Sequence, residues 1–276
     1  MSAFSVSTAT GPAQSPAQGP AQGPARGSAQ RSALWQLTLT EVKLLARERV
    51  RFILMIGIPV ALIIILGSIP ALKKPSPDFS GRPFIDYFTM IMVVFAIAML
   101  SLTAVPLVLA GYRERGVLRR LRTTPIGPFR VLGAQLGAAS GVVVVTTVLL
   151  LVIARIGFSV PFPSQVGGFI LTVILAAAAL LSLGLVIASV APTARTAQGF
   201  GALLWYLMMF FAGLWIPIPE MPKVLQHISH ATPLGAAVSA MANSAQGRFP
   251  TALELVTLAA WTAGLALAAG KLFRWE

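Results

Sequence analysis

From residue 52 onward, apolar residues fall in long unbroken blocks rather than in short alternating patterns. Six blocks stand out, at about 52–69, 87–111, 131–156, 167–190, 197–214 and 253–272, and few charges interrupt them. At about 1.5 Å of rise per residue, each helix of this length crosses a hydrocarbon core of about 30 Å, some with tilt. Gly57 and Pro59 in the first block are tolerable because a membrane helix re-satisfies its backbone through neighbours. The pattern predicts an all-α membrane protein with six transmembrane helices.

Before the first block the pattern changes. Trp35, Leu39, Val42 and Leu45 recur at helical spacing, with Lys43, Arg47, Arg49 and Arg51 interleaved. This predicts an amphipathic helix lying on a membrane surface, its basic side towards the headgroups. Residues 1–32 are a short Ser/Thr-rich start followed by a degenerate repeat of Pro, Ala, Gln and Gly, with two arginines and no apolar core. Such a tail cannot offset its ordering entropy and reads as a disordered spacer. It lacks the basic start and continuous apolar run of an export signal. The domain boundary therefore falls at residue 32, with one transmembrane domain over 33–276.

Composition sharpens this reading. The chain has 276 residues, 56% of them hydrophobic and 11% charged. A soluble domain carries about 25% charged residues, so lipid is the solvent for most of this chain. Its net charge of +13 is carried by basic residues flanking the apolar blocks, with no basic soluble domain to bind nucleic acid. No cysteine is present, which excludes disulfides and thiolate metal sites.

The basic residues also set orientation. Fifteen of them lie in the tail, the surface helix, the second connection, Arg195 and the C-terminal end, against six on the opposite side. By the positive-inside rule the crowded side is cytoplasmic, so both termini lie inside a plasma-membrane protein.

Two connections carry more than topology. Residues 112–130, on the inner side, hold Val117, Leu118 and Leu121 on one face and Arg115, Arg119 and Arg122 on another, and Pro125 and Pro128 end the helix. The arginines either anchor topology or present a docking helix to a cytoplasmic partner. The outer connection between the last two blocks is long, apolar and cut by Pro217, Pro219, Pro222 and Pro233 into short helical pieces. These suit a re-entrant or interfacial hairpin tucked among other helices. His227 and His230 stand at i and i+3, yet only Glu220 lies near, and two surface histidines explain them better than a metal.

Several chemistries are missing from the sequence. It contains no phosphate-binding loop, no His-Glu-x-x-His and no Gly-x-Ser-x-Gly. No histidine lies in a span to activate Ser101 or Ser182, and midspan acids are absent. The chain is not expected to be an enzyme, and energy for transport is expected from another chain.

At this point the inner motif Arg113-Glu114-Arg115-Gly116-Val117-Leu118-Arg119-Arg120-Leu121-Arg122-Thr123-Thr124-Pro125 resembles the coupling helix "R-E-x-G-T-L-x-x-L-x-x-T-P" of type-2 ABC exporter permeases. The outer motif, Gly213-Leu214-Trp215-Ile216-Pro217 through Met221-Pro222 to Thr232-Pro233-Leu234, is similar to that family's "G-x-x-x-P … M-P … x-P-L" hairpin. Val117 departs from the family, which often has Thr there. The Ala- and Gly-rich style resembles the drug and antibiotic efflux branch of actinobacteria, and lipid-linked glycan exporters share the fold.

The resemblance implies a permease subunit of an ATP-driven exporter for a hydrophobic or amphipathic compound. It implies a homodimer of permeases bound to a pair of ABC ATPase subunits, which would hold the ATP and Mg; this chain itself would carry no cofactor. Docking would fall to Arg113, Glu114, Arg115, Gly116, Leu118, Arg119, Leu121 and Arg122, and to the surface helix through Trp35, Leu39, Val42, Leu45 and Arg47. The translocation path would be lined by Phe88, Met92, Phe95, Met99 and Thr103 of span two. On span five it would be lined by Phe200, Leu204, Met208, Phe211 and Trp215. The alternative reading, of equal weight, is that these side chains only pack helix against helix. The outer hairpin would be shaped by Trp215, Pro217, Met221, Pro222 and Pro233. Competing readings are a lipid or lipid-linked glycan exporter of the same fold, and a membrane immunity or sensor protein that does not transport.

Overall fold

A computed structural model of the protein describes residues 49–79, 81–117 and 128–272. The predicted tail, the surface-helix residues Trp35, Leu39, Val42, Leu45 and Arg47, and the segment 118–127 lie outside the described residues.

Helix α1 spans Arg49–Gly67 and leads into a loop. A short 3-10 turn, Pro70–Lys73, precedes a minimal hairpin there, and a second, Pro77–Phe79, lies between its strands. Its strands β1 (Pro75–Ser76) and β2 (Arg82–Pro83) pair antiparallel, Pro75 opposite Pro83. The second span is one helical rod over Phe84–Glu114 with a break in its pitch: α2 (Phe84–Met99), a π-helical segment Leu100–Ala104, and α3 (Val105–Glu114). Then follow α4 (Pro128–Phe158), α5 (Val166–Val190) and α6 (Ala194–Phe211). The connection after α6 contains a 3-10 turn at Ile218–Glu220, α7 (Lys223–Ala231) and α8 (Pro233–Ala245), before α9 (Ala252–Leu272) closes the described chain.

Four of these helices are long and apolar enough to cross a membrane: Phe84–Glu114, Leu132–Phe158, Val166–Val190 and Ala252–Leu272. Met55–Gly67 is a shorter apolar helix. The 18 residues of α6 include Arg195 and Gln198 in the first turns and Trp205 and Tyr206 later, which lowers its hydropathy.

The rod Phe84–Glu114 forms the centre, with 78% of its most apolar stretch buried against 17% for α9. Its two halves have different neighbours. The α2 half packs mainly on α1, α4 and α8, while α3 packs on α5 and α6. Helix α8 is enclosed by α5, α9 and α2, so a hairpin that began as a loop is part of the core.

Pro106 explains the change of pitch. It has no N–H to give to Ser101 in a π register or to Leu102 in an α register. The backbone N–H of Val105 therefore bonds Leu100 O, five residues back, and the turn widens. The carbonyls of Ser101 and Leu102 face two glycines on the adjoining helices. A Cβ on Gly184 of α5 would overlap the oxygen of Ser101 and stand 3.2 Å from its carbonyl carbon. On Gly201 of α6 it would overlap the oxygen of Leu102 and stand 3.0 Å from its carbonyl carbon. Only glycine lets three backbones meet this closely.

Candidate functional site

The C-terminal end of α3 carries the first residues of the arginine-rich motif. Gly116, at φ +67°, ends the helix in the left-handed conformation, and its N–H bonds Arg113 O at 2.9 Å. The chain turns there towards 118–127, so Leu118, Arg119, Leu121 and Arg122 lie outside the described residues.

Arg113 and Glu114 are both engaged within the chain. The guanidinium of Arg113 donates from Nη1 to Ala188 O at 3.2 Å and Ser189 O at 3.0 Å, and from Nη2 to Ala191 O. These are carbonyls at the C-terminal end of α5, where a helix leaves acceptors unpaired and carries partial negative charge. Next to it, Glu114 Oε2 accepts from Ala194 N at 2.9 Å. Ala194 is the first residue of α6, the positive end of that helix. Two adjacent side chains of opposite charge thus hold opposite ends of consecutive helices. The same corner is closed by a capping box, in which Thr193 Oγ1 accepts from Thr196 N and Thr196 Oγ1 accepts from Thr193 N. Arg115 turns back instead, its Nε donating to Gly111 O at 3.1 Å.

On the other side, prolines set the hairpin. Pro222 precedes α7, and Pro233 occupies the first turn of α8, where its missing N–H costs nothing. Thr232 Oγ1 caps α8 by accepting from Gly235 N at 3.2 Å. Ser229 of α7 donates its hydroxyl to Phe211 O, joining the hairpin to the end of α6. Trp261 of α9 donates to Ala231 O at 2.8 Å, and Arg82 of the loop after α1 donates to Ala245 O at 3.0 Å. Met221 is buried, whereas Trp215 is 65% exposed. The buried Glu254 accepts from Asn243 Nδ2 at 2.9 Å and from Thr251 N at 2.8 Å, tying α8 to the start of α9.

His227 and His230 are separately engaged, Nδ1 of the first with Lys223 O at 2.7 Å and Nδ1 of the second with Ser239 Oγ at 3.2 Å. Among the described residues no group of three metal-ligating side chains forms.

The residues expected along a path divide by helix. Phe88, Met92 and Phe95 are enclosed in the core of the single chain, and Met99 and Thr103 are half-buried. The hydroxyl of Thr103 is taken by Met99 O at 2.6 Å. On α6, Leu204, Met208 and Phe211 are half-buried, while Phe200 is exposed. Leu203, Tyr206 and Leu207, which the sequence reading did not single out, are more exposed than Phe200 and widen this apolar strip. Trp205 turns the other way, edge-on to Phe95 with ring centroids 4.9 Å apart. A small cavity of about 70 Å³ lies under the hairpin, lined by Phe79, Arg82, Asp86, Tyr87 and Gln246.

The fold and these two connections define a multi-pass, all-α membrane protein with almost no sheet. The ABC-2 type transporter family model matches residues 32–245, and the chain belongs to this family. It is thus a type-2 ABC permease, a transmembrane transport module of a kind that normally works in a membrane with an ATPase partner. No curated protein matches the chain.

Proposed function

We propose that this permease is the membrane half of an ATP-driven exporter that moves a hydrophobic or amphipathic compound, such as a drug, an antibiotic or a related metabolite, out of the cell. Two copies of the chain pair with two ABC ATPase subunits, which bind the ATP and Mg. The observation that carries this reading is the family match over 32–245 in a chain whose own sequence has no phosphate-binding loop.

In this reading α1 and α6 complete six spans, both termini face the cytoplasm, and α7 and α8 form a re-entrant hairpin at the outer mouth. The surface helix and the segment 118–127 meet the ATPase. Because Arg113 and Glu114 are hydrogen-bonded within the chain, contact with the ATPase falls to Leu118, Arg119, Leu121 and Arg122. The apolar strip of α6 around Phe200, Leu203 and Leu207 faces the partner copy and the cargo, and its Met and aromatic content suits bulky apolar compounds.

Replacing Leu118 and Leu121 together by Asp tests the docking surface. Putting carboxylates into an apolar contact without partners is strongly unfavourable, so retention of the ATPase on the tagged permease should fall by about tenfold or more. The amount of permease in the membrane should stay unchanged. Undiminished association and ATP turnover would show that this segment is not the docking element.

A further inference from the structure

We infer that Arg113 and Glu114 are positioning residues that weld the inner end of α3 to the corner between α5 and α6. A push on the segment after Gly116 then moves that corner and α6 as one body. The inference rests on the ATP-driven reading for the source of the push, and on geometry for the weld.

The geometry has three parts. First, Arg113 reaches three carbonyls, Ala188, Ser189 and Ala191, at the end of α5, and Glu114 holds the N–H that opens α6. Hydrogen bonds with an ionised partner are about twice as strong as neutral ones, and each here also meets a helix end of complementary charge. Second, the π turn belongs to the same body, since its Ser101 and Leu102 carbonyls abut Gly184 of α5 and Gly201 of α6. The π turn at Leu100–Ala104 separates α3 from α2, which packs on other helices, and Ser101 Oγ in that turn is buried without a partner. Pitch defects of this kind are frequent at functional sites. Third, α6 continues the body outward, because Phe211 O near its far end accepts the hydroxyl of Ser229 in the hairpin. The welded corner is therefore joined through one helix to the outer mouth.

The chain offers its own test, because it contains no cysteine. A Cβ built on Gly111 of α3 lies 3.9 Å from Ala194 Cβ of α6, close to the roughly 3.8 Å spacing of a disulfide. The tip of Arg115 lies 3.2 Å from that Cβ and is flexible enough to swing aside.

In the full-length purified chain, the pair Gly111→Cys and Ala194→Cys should oxidise readily, and adding Arg113→Ala should slow cross-linking about tenfold as charge-assisted bonds are lost. Arg113→Lys should fall between, since an ammonium lacks the guanidinium fork. Within the ATPase assembly, purified from native membranes through a tag on this chain, the oxidised pair should keep ATP turnover within about twofold, because joining parts that already move together removes no motion.

Cross-linking as fast with Arg113→Ala as without it would overturn the weld. So would oxidation that stops ATP turnover and is reversed by dithiothreitol, since the cycle would then require separation at this point. Should Arg113→Ala fail to accumulate, the lysine variant and the turnover of the oxidised pair decide. Absence of any ATPase from the native preparation would defeat the exporter reading instead, while cross-linking rates would still judge the weld.

Discussion

Gly201→Ala is expected to destabilise the protein by about 3 kcal/mol, because the new methyl group cannot share space with a backbone carbonyl. The Cβ would overlap Leu102 O and lie 3.5 Å from Thr103 Cα, and all of these atoms belong to the main chain. A flexible side chain would swing aside; here α6 must move away from the π turn. The control is two residues away. Gly199 has nothing within 4 Å of a Cβ, so Gly199→Ala should be neutral or stabilise by about 0.5 kcal/mol through helix propensity. Thermal unfolding of the two detergent-purified variants makes the comparison. Equal behaviour of the two would contradict the close approach of α6 to the π turn.

Glu254→Ala should cost about 3 kcal/mol, the second large effect, for a chemical rather than a steric reason. The carboxylate is 7% exposed and serves two donors, Asn243 Nδ2 and Thr251 N. Truncation removes both bonds near the start of α9, and a hydrogen bond to a charged group contributes about 1.5–3 kcal/mol. Glu254→Gln retains one acceptor and should lose less. In a double-mutant cycle, Asn243→Ala and Glu254→Ala should show a coupling of about 1–2 kcal/mol, whereas simple additivity would mean that the pair does not act together.

Much of the helical framework was legible in hydropathy. Blocks at 167–190 and 253–272 differ from α5 and α9 by a residue. Prolines marked the hairpin pieces because proline fixes where a helix can start. Helix α6 was harder to place: the block at 197–214 starts three residues late, since Thr193 and Thr196 form a capping box of small polar residues before the apolar run. The π turn has only Pro106 as a signal, and many membrane helices carry a proline without one.

Arginines at the inner connection read as topology markers or docking groups, because sequence alone does not show which backbone ends they will meet. Arg113 finds the end of α5 some 75 residues downstream, a pairing that exists only after packing. Glu254 did have a local signature. Thr251-Ala252-Leu253-Glu254 is a Thr-x-x-Glu capping box before an apolar run. The stripe predicted on span two proved half enclosed, since a 3.6-residue period identifies a common face but not what covers it.

The claim on which the account turns is that this permease works as half of an ATP-driven machine. Native mass spectrometry of the assembly extracted from its own membranes, through a tag on this chain, measures that directly. The account predicts two copies of the permease with two copies of a chain bearing a phosphate-binding loop. A permease recovered alone, or only with chains that bind no nucleotide, would contradict it.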